Sequence, residues 1–353
     1  MTISSLAMLN PMSLPDPDPA PILDLIEAFR RSKAMFAATS LGVFDRLALS
    51  PMTAADLARD LSLVEDPLTR LLDALVGLGL LDRDADALYH NTPLANTYLT
   101  RASPASLAGY VNYSNEALYL LWGQLEQALR EGTHRWTQVF GPGGSLFSHF
   151  FRTEESKYHF LMGMHGFGQI SSPAVVRAFD LSRFRRLVDL GGATGHLSIA
   201  ACELYPDLEA VVFDLPPVVP LAIEQRDRSP AASRIQVQAG DFLKDDLPHG
   251  DLCALGRILH DWSEPKIHSL LTRIRQALPP HGALLIAEKL LDNDKRGPLF
   301  AQLQSLNMLV CTEGKERTVA EYEALLKQVG FAYLEARQTG APLDAMLAYA
   351  EHP

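Results

Sequence analysis

Cysteine is scarce in this chain, and positive charge is outnumbered. Cys202, Cys253 and Cys311 are the three cysteines among 353 residues; they form an odd set in apolar surroundings without paired spacing. This argues against a disulfide framework or a zinc site, and predicts reduced thiols in a cytoplasmic protein. Lys and Arg number 31 against 42 Asp and Glu, a formal net charge of −11. That balance disfavours nucleic acid or an anionic membrane as the main partner. A charged start leading into a long apolar run is also missing, so neither a signal peptide nor a transmembrane helix is expected. The length suits two domains.

Residues 1–20 carry Leu-Pro-Asp-Pro-Asp-Pro-Ala-Pro. Prolines remove backbone donors and restrict their neighbours, so a flexible leader is expected there. From Ile22, apolar residues recur every three or four positions through Leu25, Ile26, Phe29, Met35, Phe36 and Leu41, an apolar helix pair ending near Gly42. Residues 53–61 and 66–78 predict two short helices, the first led by Thr53 and the second by Asp66-Pro67. Leu80-Leu81-Asp82-Arg83, a polar turn and Leu88-Tyr89-His90-Asn91 follow as a small hairpin. Two helices and a hairpin make a winged helix, whose obvious partner is DNA. Yet residues 41–100 hold four arginines against nine acids, the wrong sign for a phosphate backbone, so dimerisation is the preferred role. The expected division is 21–104 for this domain, 105–172 for a helical connecting region, and 173–353 for the ligand-binding domain. Linkers are expected at Ser171-Ser172-Pro173 or Asp180-Leu181-Ser182. The connecting region is rich in aromatic residues, including Phe160, which is expected to meet a substrate.

Residues 187–195 read Leu-Val-Asp-Leu-Gly-Gly-Ala-Thr-Gly, four strand-like residues running into a glycine turn and then a helical pattern. Strands and helices alternate from there to residue 288, predicting a doubly wound parallel α/β sheet with its ligand at the carboxyl ends of the strands. Asp189, beside the turn, would repel a pyrophosphate and tolerate a cationic sulfonium cofactor, which favours S-adenosylmethionine (SAM). A bare tight connection is the alternative. Asp214 ends the second strand, where a carboxylate can accept both ribose hydroxyls or cap the next helix. Asp241 and Phe242 follow the third strand and could meet an adenine. Three acids at successive strand ends are hard to explain as caps.

The fourth strand ends in Arg257-Ile258-Leu259-His260-Asp261-Trp262. An imidazole there can take a proton from a hydroxyl attacking a methyl carbon. Glu288, ending the fifth strand, and Glu316 are candidates to orient it; the alternatives are a cap, a surface charge and a pair with Lys315 or Arg317. Residues 298–310, with Leu299, Phe300, Leu303, Leu306 and Met308, form an apolar helix suited either to a lid or to dimer packing.

The ordered motifs Val-Asp-Leu-Gly-Gly, Phe-Asp-Leu-Pro, Gly-Asp-Phe, Leu-His-Asp-Trp-Ser, Ala-Glu and Gly-Lys-Glu-Arg-Thr resemble the SAM-dependent O-methyltransferases of the caffeate and hydroxyindole family. The likeness covers nearly the whole chain and is nearest to the hydroxyindole branch. It implies a Rossmann-like methyltransferase domain behind a mainly α-helical winged-helix dimerisation domain, acting as a homodimer without a metal. It implies that Asp189, Gly191, Asp214, Asp241, Phe242 and Arg257 serve SAM, which leaves as S-adenosylhomocysteine. His260 would be the base, flanked by Glu288 and Glu316, and Asp261, Asn307, Met308, Cys311 and Phe160 would meet a small aromatic hydroxyl substrate. Two departures stand out. Cys311 replaces that branch's glutamine and loses an amide, and Gly168 replaces a tryptophan, which predicts a larger cavity. Two rivals remain at this level: a methyltransferase-like enzyme with non-methylating SAM chemistry, and a SAM-sensing winged-helix regulator of DNA.

Overall fold

In the structure, a computed structural model, residues 17–144 and 146–351 are described. Residues 1–16 of the expected leader lie outside them. The chain divides into two compact units, 1–92 and 93–353.

In the first unit the apolar periodicity becomes one long helix, α1 (Ala20–Ser40), and a turn at Gly42 leads into the short α2 (Val43–Leu49). α3 (Ala54–Leu61) begins where Thr53 accepts the N–H of Asp56 at 3.2 Å, satisfying a helix-start donor that lacks an intrahelical partner. α4 (Glu65–Gly77) follows, with Leu68, Leu72 and Leu75 buried on one face. The strands β1 (Leu81–Arg83) and β2 (Tyr89–Asn91) pair antiparallel. Their turn is closed by Asp84, which accepts from the N–H groups of Asp86 and Leu88. The expected order of two helices and a hairpin is present.

The second unit opens with a chain of short helices: α5 (Pro93–Tyr98), α6 (Ala108–Tyr113), α7 (Tyr119–Trp122), α8 (Leu125–Glu131), α9 (Trp136–Phe140) and α10 (Leu146–Phe150). A π-helical turn, Ser114–Leu118, joins α6 to α7. Then comes α11 (Glu154–Arg177), capped by Thr153. Of the two linker positions expected, Asp180-Leu181-Ser182 falls in the stretch between α11 and the strand that starts at Arg186, whereas Ser171-Ser172-Pro173 is no linker. α11 runs through it, and the Ser171 hydroxyl turns back to the Phe167 carbonyl rather than breaking the helix.

Strand and helix then alternate as β3 (Arg186–Leu190), α12 (His196–Leu204), β4 (Glu209–Asp214), α13 (Val219–Asp227), β5 (Ile235–Ala239), β6 (Leu252–Gly256), α14 (Glu264–Ala277) and β7 (Ala283–Glu288). α15 (Leu299–Cys311), α16 (Val319–Gln328), β8 (Tyr333–Arg337) and β9 (Asp344–Tyr349) complete the chain. The sheet order is β5-β4-β3-β6-β7-β9-β8. The five strands expected to pair in parallel do so, and two strands that were not foreseen make the sheet mixed, with β9 antiparallel between β7 and β8. β7 and β9 are buried at every position, as central strands covered on both faces must be. Because β3 to β7 run the same way, the residues that follow them gather along one edge of the sheet.

Candidate active site

A cavity of about 710 Å³ lies at that edge, within the second unit. Gly191, Asp214, Asp241, Phe242, Arg257, His260, Asp261, Asn307, Met308, Cys311 and Phe160 all line it, although they come from segments far apart in sequence. Asp189, Glu288 and Glu316 stand behind this wall, at 2 %, 0 % and 2 % exposure.

The turn after β3 is built for close approach. Gly191 has φ +69°, and a Cβ there would lie 2.6 Å from Ile258 Cδ1. Ala193 takes a left-handed φ of +50° that a side chain disfavours. Its N–H is held by Asp214 Oδ2 at 2.7 Å, while Asp214 Oδ1 accepts from the Leu215 N–H. Asp214 therefore ties β4 to the glycine turn instead of capping α13, and burial pushes its carboxyl up to about 6. Asp189 lies underneath: it accepts from the Ser198 hydroxyl at 2.9 Å and is likewise pushed to about 6 by burial. Its expected place against the cofactor is thus corrected to a support beneath the turn. Asp241 engages the Leu243 N–H and Lys244 Nζ beside Phe242.

At the end of β6 the strand expected to reach Leu259 stops at Gly256, because Arg257 turns to φ +57°. A 3-10 turn, Leu259–Asp261, then carries the histidine. Glu288 Oε1 accepts from the N–H groups of Ile258 and Leu259 at 3.0 and 2.9 Å, so this carboxylate holds the backbone turn. Glu316 Oε1 holds the imidazole itself, 2.7 Å from His260 Nδ1, with Glu288 Oε2 at 3.3 Å. Burial disfavours charge on His260, but Glu288, Glu316 and Asp261 outweigh it and hold the imidazole above its ordinary range. Burial also raises Glu288, and pushes Asp261 to about 6. The three groups come close enough to ligate a cation. An Nδ1–H donated to Glu316 Oε1 suits the 2.7 Å contact, Glu288 Oε2 is left without a hydrogen-bond partner, and Nε2 is the remaining ring nitrogen, 3.6 Å from Asp261 Oδ1.

Opposite stands an aromatic wall. Phe160 meets Phe150 at 4.5 Å and Tyr113 at 5.3 Å between ring centroids, and Phe147 meets Trp262 at 5.8 Å. Asn307 Oδ1 accepts the indole N–H of Trp122 at 2.8 Å. Since an indole only donates, this fixes the amide orientation and leaves its NH2 free to act as a donor. Cys311 bonds back to the Asn307 carbonyl. Leu299, Phe300 and Leu303 are 68 %, 47 % and 47 % exposed and do not border the cavity, so α15 presents Asn307, Met308 and Cys311 to the site and is no lid. Gly168 gives no extra room either: a Cβ there would overlap the His196 imidazole, which occupies that space. Sequence reading missed His196, and it placed Trp122 among the aromatic residues of the connecting region without its bond to Asn307, since local spacing marks neither.

Residues 122–332 match the O-methyltransferase domain and residues 23–101 the O-methyltransferase dimerisation domain. The chain belongs to this O-methyltransferase family. It is 43 % identical to acetylserotonin O-methyltransferase of Bos taurus over 326 residues, 91 % of this chain and 94 % of that protein. The crystal structure of human N-acetylserotonin methyltransferase in complex with SAM superposes with a TM-score of 0.91 at 39 % identity, covering 97 % of this chain and 100 % of that one. PigF with S-adenosylhomocysteine matches with a TM-score of 0.85 at 30 % identity, over 94 % and 99 % of the two chains. This methyltransferase has its three cysteines free and buried, and among the described residues no helix is long and apolar enough to cross a membrane.

Proposed function

We propose that this O-methyltransferase transfers a methyl group from SAM to the hydroxyl of a small phenolic or hydroxyindole-like acceptor, with His260 Nε2 as the base. The observation that carries the reading is a buried imidazole fixed by Glu316 and Glu288 in an aromatic cavity edged by strand-end acids. The residues present fit the cofactor: Gly191 leaves a cradle that a Cβ would fill, and among the described residues Arg257 Nη1 is buried without a partner. When bound, SAM supplies a methyl on a cationic sulfur, whose charge also opposes the proton on His260. Asp214 would accept the ribose hydroxyls on its remaining lone pairs, and Asp241 with Phe242 would hold the adenine. Asn307 would donate to the acceptor, Phe160 and Met308 would clamp its ring, and Asp261 and Cys311 would border it. Glu288 keeps the His260 backbone in place, and Glu316 fixes which nitrogen carries the proton. Positioning then does most of the work, with proton removal at Nε2 completing it.

The bovine and human relatives are named for acetylserotonin, which makes that indole the first acceptor to try; in this chain Cys311 and the His196 side chain beside Gly168 line the pocket. The dimerisation domain supports a homodimer, and α1 offers it Leu25 and Phe29, which are 70 % and 52 % exposed. The division at 21–104, 105–172 and 173–353 is our functional partition, the middle part giving the aromatic wall. Free, buried thiols accord with a cytoplasmic setting. Incubation with methyl-labelled SAM and a panel of hydroxyarenes should yield a methylated ether. Tight SAM binding with no methylated product from any of them overturns the reading. Asp214→Ala should weaken SAM binding tenfold or more by calorimetry, and an unchanged affinity removes Asp214 from the ribose.

A further inference from the structure

His196 begins α12 and lines the cavity, yet no step above uses it. Its imidazole fills the space that the missing side chain of Gly168 leaves on α11. Ser172, one turn further along α11, lies with its Oγ 2.9 Å from His196 Nδ1. Ser171 next to it spends its hydroxyl on the Phe167 carbonyl, whereas the Ser172 hydroxyl is directed to the ring. With Nδ1 accepting that hydroxyl, a neutral imidazole carries its hydrogen on Nε2. Arg257 stands on the same side, its guanidinium 4.5 Å from the ring centroid of Phe167, the neighbour of Gly168.

Asp214 and Asp241 line the cavity after β4 and β5, His196 lines it at the start of α12 and Arg257 after β6. Among the described residues Arg257 Nη1 is buried without a hydrogen-bond partner, and the first N–H groups of a helix add positive potential beside His196. An unpaired guanidinium nitrogen and a neutral N–H donor lining one cavity suit a carboxylate, which acids alone would repel. Resting on the SAM reading above, we propose that His196, backed by Ser172 and facing Arg257, forms the subsite for the α-carboxylate of the cofactor. Burial, then the charges of His165 and Arg257, holds the His196 imidazole at about 3, so the ring acts as a neutral donor at working pH.

Calorimetric titration of the full chain with SAM and with decarboxylated SAM, which lacks only the carboxylate, tests the assignment. The wild type should prefer SAM about tenfold or more, the scale of one hydrogen bond to a charged group. His196→Ala should lose about that preference by weakening SAM alone, and His196→Gln, which keeps a donor, should recover part of it. Equal weakening of both ligands by His196→Ala, or an undiminished preference for SAM, overturns the subsite and leaves the methyltransferase reading standing. Wild-type protein that binds neither ligand brings down both. Should His196→Ala not fold, Ser172→Ala replaces it, with a smaller loss of the same preference expected and an unchanged preference counting against the subsite.

Discussion

Carboxylates on the helices of the N-terminal unit stand in water beside arginines, while at the strand ends of the C-terminal unit Asp189 and Glu288 are buried. There Asp214 and Asp261 are largely withdrawn from solvent, and Asp241 alone keeps an exposed lysine partner. Asp56, Asp60 and Asp66 pair with Arg59, Arg46 and Arg70 at 2.6 to 2.8 Å on exposed helix surfaces. The Thr53 hydroxyl and then Arg59 pull Asp56 below the usual range, and the Leu88 N–H is the main cause of the same shift at Asp84. In the C-terminal unit burial drives Asp189, Asp214 and Asp261 the other way, to about 6. One residue type thus serves two ends. Exposed acids keep a helical surface solvated and close its caps and turns. Buried acids in a cleft are held where ionisation is costly, an arrangement most useful when a ligand brings cationic or hydroxyl groups to them.

Substitutions on the two sides should therefore differ in kind as well as size. His260→Ala breaks the buried side most severely. Methyl transfer should fall about a hundredfold or more, the scale of a lost general base, with SAM affinity nearly kept. Single-turnover rates paired with calorimetry separate the two, and unchanged turnover would falsify the role of His260. Glu316→Gln sharpens the electrostatic part. Removing a negative charge 2.7 Å from Nδ1 lowers the His260 pKa. The acid limb of kcat/KM should then move to lower pH, because the free site sheds its proton more readily. The stability linkage has a matching sign. His260 is raised above its unfolded value of about 6.5, so its contribution is whole below that pH and is lost as pH rises through the folded value. Glu316→Gln should accordingly cost more thermal stability at pH 6 than on the alkaline side of that transition. An acid limb that stays in place counts against the pair.

Much of this buried side was legible in the chain itself. Asp189, Asp214 and His260 each follow an apolar run that ends in turn chemistry, Asp241 follows an alternating one, Ile-Gln-Val-Gln-Ala, and a parallel sheet brings such positions to one edge. What stayed hidden depends on contacts between distant segments. Trp122 fixes Asn307 across 185 positions, and Glu288 holds backbone N–H groups thirty residues earlier, which side-chain spacing cannot reveal. Gly168 read as a void because a glycine's neighbour in space is invisible in sequence; that neighbour is His196. The antiparallel β9 escaped notice although Ala345-Met346-Leu347-Ala348-Tyr349 is an apolar run, since periodicity alone gives neither its direction nor its place between β7 and β8.

The smallest effect belongs to the exposed side. Arg70 and Asp66 sit one turn apart on α4, with side chains 78 % and 73 % exposed. The acid lies toward the helix N-terminus, the favourable order, yet water and salt screen such a pair and two long side chains lose freedom to make it. Arg70→Ala should therefore change unfolding free energy by no more than roughly 0.5 kcal/mol in urea titrations and leave SAM affinity untouched. A larger loss that depends on protein concentration would mean that this face is covered by a second copy of the chain. The contrast between solvated and buried acids would then hold only for the isolated protomer, because association would desolvate Asp66 as folding desolvates Asp214.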